Sequence, residues 1–82
     1  MGKQIGVVTN YFKQVKAAAI KLSSPLKIGD KIEIKGGKKD VVFIVESMQI
    51  NRQPIKEAKA GEEVGIIVPE DIHKDYRVFK VS

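Results

Sequence analysis

Three ammonium groups bracket a glycine pair in Lys35-Gly36-Gly37-Lys38-Lys39. Lysines set around unshielded backbone can hold a phosphate ribbon, and the same run also makes an ordinary charged hairpin. Tyr11 and Phe12 lie beside Lys13 and Lys16, the mixture of rings and cations that a base-stacking surface uses. In a chain this poor in aromatics the competing use of those rings is in the core. Arg52, between Asn51 and Gln53, adds donors suited to backbone or base-edge contacts, and turn chemistry accounts for it equally. Lys35, Lys38, Lys39, Tyr11, Lys13, Lys16 and Arg52 are therefore the candidate nucleic-acid contacts.

The remaining reactive types point away from catalysis. His73, the single histidine, sits in Glu70-Asp71-Ile72-His73-Lys74-Asp75. One histidine without any cysteine is a poor metal-ligand set, and no nucleophile or second base stands beside it, so it reads as a surface-loop residue. Glu62-Glu63 and Glu70-Asp71 are adjacent only in sequence, and neighbours on a strand point to opposite faces, so neither pair is an acid/base dyad. Around Gly37-Lys38 a phosphate-binding loop would need glycine at 32 and Ser or Thr at 39, where Ile32 and Lys39 stand. GTP hydrolysis is excluded on that ground. The expectation is a binding module and not an enzyme, with no cofactor, metal or nucleotide.

Any such site must be positioned by a small fold. The chain has 82 residues, enough for one domain over residues 1–82 and one modest core. No cysteine can staple it. The net charge is +5, unevenly spread: residues 1–39 hold nine basic and two acidic residues, a net of +7, and residues 40–82 hold six and eight, a net of −2. A basic half is the footprint of a protein that meets phosphate backbones or acidic partners, and the bland alternative is a lysine-rich solvating surface. The opening residues carry no apolar leader and no stretch is long enough to cross a membrane, which implies a cytoplasmic protein.

β-Branched runs alternating with polar residues, broken by Gly, Pro, Asn and Ser, predict strands over residues 4–11, 15–22, 31–35, 40–50, 63–68 and 76–81. Ala17-Ala18-Ala19 is read as strand, because an uncapped segment this short makes a marginal helix and small side chains suit a crowded interior. Residues 40–50 are expected to form a central strand buried on both faces, and Leu26 and Ile28 to tuck under a loop. Gly65 suggests a bulge or the close approach of a neighbouring backbone. Residues 55–60 stay open between extended and helical. About six strands in so short a chain make an all-β, small closed antiparallel β-barrel the economical answer, since closure removes edges.

Three motifs carry a resemblance across nearly the whole chain. Leu26-Lys27-Ile28-Gly29-Asp30-Lys31-Ile32-Glu33-Ile34 resembles a signature of the second domain of translational GTPases such as elongation factor Tu. Val45-Glu46-Ser47-Met48-Gln49 followed by Gln53-Pro54-Ile55, and Ala58-Lys59-Ala60-Gly61-Glu62-Glu63-Val64-Gly65-Ile66, are similar to later elements of the same domain and occur in the same order. The resemblance implies a β-barrel binding module without a GTPase domain, whose partners are tRNA, ribosomal RNA or the ribosome. The second reading is a protein-protein interaction module that docks onto a separate enzyme or translation factor.

Overall fold

The computed structural model describes residues 2–81. It is all-β: among those residues there is no helix, and none long and apolar enough to cross a membrane. Ten strands form, β1 (Lys3–Phe12), β2 (Ala17–Leu22), β3 (Leu26–Lys27), β4 (Lys31–Gly36), β5 (Lys39–Ile44), β6 (Met48–Ile50), β7 (Gln53–Ile55), β8 (Glu57–Ala58), β9 (Glu63–Ile67) and β10 (Arg77–Val81). Eight build one antiparallel sheet in the order β5-β4-β10-β1-β2-β9-β6-β7, while β3 and β8 pair separately. The first and last strands are neighbours near its centre, with Gln4 opposite Phe79 and Val7 opposite Arg77.

The sheet is open, which corrects the expected six-stranded closed barrel: its outer strands are β5 and β7, and no ladder joins them. Two local causes are visible. β7 is three residues long and contains Pro54, which has no N–H to donate. Between β5 and β6 the backbone of Val45 turns to the loop before β4, its N–H donating to the Asp30 carbonyl at 2.9 Å and its carbonyl accepting from Gly29 N–H at 2.8 Å. That diversion also breaks the long apolar run expected over residues 40–50. β5 is an edge strand with alternating burial, Val41 inside and Val42 outside, and not a central one buried on both faces.

One core fills the inner face. Ile5, Val8, Ile20, Leu22, Ile32, Ile34, Val64, Ile66 and Val78 are each at most 2% exposed, and among the described residues no polar or charged one is buried with them. Each fully buried aliphatic side chain contributes about 1.5–3 kcal/mol of transfer free energy. β1 shifts register between Gln4 and Gly6 and again between Val8 and Asn10, and such bulges bend a strand around its core. Leu26 joins the core as expected; Ile28 stays 40% exposed, where the chain leaves β3 for the turn at Gly29.

Candidate functional site

Alternation along β2 and β9 puts Ala18, Ile20, Val64 and Ile66 inside and Ala17, Ala19, Gly65 and Ile67 on the outer face. Register completes the pattern, with Ala19 opposite Gly65, Ala17 opposite Ile67, and Gln49 of β6 on the other side of Gly65. The outer face of a half-buried sheet normally carries long polar side chains. Here two alanines and a glycine make a low floor, and a groove of about 730 Å³ lies over it. One wall is the β1–β2 hairpin with Phe12, Lys13 and Val15, the other the β6–β7 turn with Asn51 and Arg52. Phe12 is 50% exposed and Val15 62%, so the hairpin wall is apolar and open to solvent.

Gly65 is not required by the fold around it. A Cβ built there would meet nothing nearer than the Gln49 carbonyl oxygen at 3.9 Å, which is ordinary contact, and its φ lies outside the left-handed region. The expected bulge or close backbone approach is absent: the β2–β9 register runs through Gly65 without a shift. Gly6 shows the contrast, since a Cβ there would fall 2.7 Å from the Lys21 carbonyl oxygen. Lining the same groove, Asn51 and Arg52 take φ of 52° and 66° in the two-residue turn between β6 and β7. Both central residues of such a turn are left-handed, and glycine is the residue that adopts this most readily. Arg52 is held there with its side chain exposed.

The groove is mixed in charge. Lys13 and Arg52 stand on opposite walls, and Glu63 at the β9 end accepts a hydrogen bond from the Thr9 hydroxyl at 2.5 Å. Glu63 thus reaches from β9 over β2 to β1, across ground that the small Ala19 leaves clear.

The other sequence-derived candidates are dispersed. Tyr11 packs its ring against the core and donates its hydroxyl to Asp71 Oδ1 at 2.7 Å. That bond holds the Asp71 carboxyl below its ordinary value, helped by Lys13, Lys16 and Lys39 nearby and opposed by partial desolvation. The Tyr11 phenol is raised, by partial burial first and then by Asp71. Lys39 donates to the Asp71 carbonyl at 2.7 Å and lies 3.9 Å from Glu70, so it straps the loop after β9 to β5. Lys38 is exposed in the β4–β5 turn, and Lys35 lines a separate depression with Lys74, Tyr76 and Arg77. The three ammonium groups of residues 35–39 therefore do not converge. His73 meets the edge of Tyr76, with ring centroids 5.6 Å apart, and no metal-ligating cluster occurs among the described residues. The structure brings together Phe12, Lys13 and Arg52; Val15, Ala17, Ala19 and Gly65 were missed. Their signal in the sequence was small residues at outward positions on two strands that proved to be neighbours.

No family model matches the chain. Two crystal structures of the C-terminal domain of a Geobacillus thermoleovorans protein named as a U32 peptidase superpose on it at 16% identity. One, a selenomethionine variant, gives a TM-score of 0.90 and covers 95% of this chain and 99% of that one. The other gives 0.91 and covers 98% and 93%. The fold is that of a U32 peptidase C-terminal domain. In sequence, the chain is 42% identical over 77 residues to an uncharacterised protease of Methanocaldococcus jannaschii, a match that takes in 93% of the chain and 19% of that protein. The chain thus spans about a fifth of the length of the curated relative. These likenesses overturn the resemblance to elongation factor Tu and, with it, the expected binding of tRNA, ribosomal RNA or the ribosome. The motifs behind that resemblance are turn-forming and strand-forming signals: Gly29 and Gly61 have positive φ with open space around them, and Asp30 accepts from the Lys27 N–H at 3.0 Å. Such features mark how an antiparallel sheet turns and carry no site.

Proposed function

We propose that the chain is a non-catalytic docking module that works with a peptidase-type catalytic body and contacts it through the groove over β2, β9 and β6. The observation that carries this reading is the floor of Ala17, Ala19 and Gly65 on an outer sheet face, walled by the exposed Phe12 and Val15. Apolar, shaped surface of this kind on a small protein marks an interaction site. The relatives supply the class of partner. About a fifth of the Methanocaldococcus protein named as a protease is similar to this chain, at 42% identity, and the Geobacillus domain comes from a protein named as a peptidase. Hydrolysis is assigned to the remainder of such proteins, because this chain has no cysteine and its one histidine packs on the edge of Tyr76. This is the interaction-module reading of the sequence, with an enzyme as the partner.

The test mixes this chain with the Methanocaldococcus protein from which the matching segment has been removed, both checked for folding by circular dichroism. Co-elution in gel filtration is expected, with loss of the complex on Ala19→Arg, which fills the groove from an outward position. Separate elution of two folded proteins would end this reading.

A further inference from the structure

We propose that the groove over Gly65 holds an extended, carboxylate-bearing segment of the partner protein, with its backbone lying over Ala17 and Gly65 and an acidic side chain held by Arg52 and Lys13. The inference deepens the docking reading by naming what lies in the site.

Two residues sit where the fold by itself would place the opposite kind. Gly65 occupies a mid-strand position that accepts a Cβ without contact closer than 3.9 Å. A glycine inside a strand is weaker than a residue with a side chain, through its greater loss of conformational freedom and its lack of packing. Arg52 occupies a left-handed position, φ 66°, where glycine would relieve strain. Both line the same groove. A floor lowered by Gly65 and a cation held at the rim against its backbone preference share one explanation, a ligand that passes close over the sheet and carries negative charge.

Width and charge select the occupant. The floor spans β2, β9 and β6, two interstrand steps of about 4.8 Å each, or about 10 Å. An extended chain lies within that width, whereas a helix with its side chains, about 10–12 Å across, would fill it from wall to wall. Arg52 and Lys13 line the groove from both walls against a single carboxylate, Glu63, which is turned to the Thr9 hydroxyl, so the lining keeps a net positive charge. Arg52 presents a planar fork that matches a carboxylate bidentately. Phe12 and Val15 offer apolar contact to alternate side chains of the same segment.

The experiment is an amide NMR titration of the labelled chain with two short capped peptides, one alternating glutamate with valine and the other lysine with valine, and with bulk tRNA. The glutamate peptide alone should shift Ala17, Ala19, Gly65 and Arg52 saturably. Arg52→Gly should weaken that binding about tenfold while raising the melting temperature by about 4 °C, since it removes the cation and relieves the left-handed strain. Gly65→Leu should abolish binding without lowering the melting temperature. Misfolding would move both readouts down together, so opposed signs isolate the groove. Equal response to both peptides, shifts outside the groove, response to tRNA alone, or no response would each overturn the proposal. Because the peptides are presented without the catalytic body, failure here leaves the docking reading to its own test. Conversely, peptide binding without co-elution would remove the enzyme partner and keep the ligand.

Discussion

At Gly36 the backbone runs directly under the Tyr76 ring, and a Cβ built there would fall inside the ring carbons. Gly36→Ala must therefore displace Tyr76, which packs on the core, and is expected to cost about 1–3 kcal/mol in urea unfolding. Gly65→Ala, in open space, should leave stability unchanged or raise it by about 0.5–1 kcal/mol. Equal losses for the two would show that Gly65 is structural and not a groove residue. The Tyr11–Asp71 bond makes a second prediction from single groups. Asp71 is depressed in the folded chain, so its contribution is present above the unfolded carboxylate value and is lost as pH falls through the lower folded one. Tyr11 is raised, so its contribution is present below its ordinary value and is lost as pH rises through the folded one. Asp71→Asn should flatten the acid limb of the melting-temperature profile, and an unchanged limb would assign that limb to other carboxylates.

β5 is an outer strand of the sheet, without proline or bulge, and it exposes Val42 at 48% and Ile44 at 55%. Gly37 opens its hairpin with φ 57°, and pairing alternates from Gly36 opposite Lys39, so Asp40, Val42 and Ile44 turn their backbone N–H and carbonyl groups away from β4. An apolar edge with free ladder groups is a template for self-association. Val42→Lys should raise the concentration at which light scattering appears and change stability by less than about 0.5 kcal/mol. Unaltered scattering would locate association elsewhere, for example on Phe12 and Val15. At the same scale, the alternation of β4 was legible in Lys31 to Lys35, because each charged residue faces water and each isoleucine faces the core. The split of residues 40–50 was not legible, since it depends on Val45 bonding to Gly29 and Asp30 rather than to a neighbouring strand.

For the molecule as a whole, the pairing that matters is between the chain's two ends. β10 lies between β1 and β4, so it joins the β4–β5 hairpin to the rest of the sheet. A chain ending before residue 77 would leave Ile32 and Ile34 without Val78 between β4 and β1, and it should show no cooperative thermal transition by circular dichroism. A sharp transition would mean that the remaining strands hold a core without it. What the sequence by itself determined is the all-β class, most strand positions, the turns at Gly29 and Gly61, and an aliphatic core, because alternation and turn chemistry are local. It also contained the residues of the groove, as an alanine run and a lone strand glycine. Only the tertiary structure decided that the sheet stays open, that Lys35, Lys38 and Lys39 disperse, and that Ala17, Ala19 and Gly65 share one floor. Those outcomes follow from which strands become neighbours and in what register, which long-range pairing selects and adjacent residues do not encode.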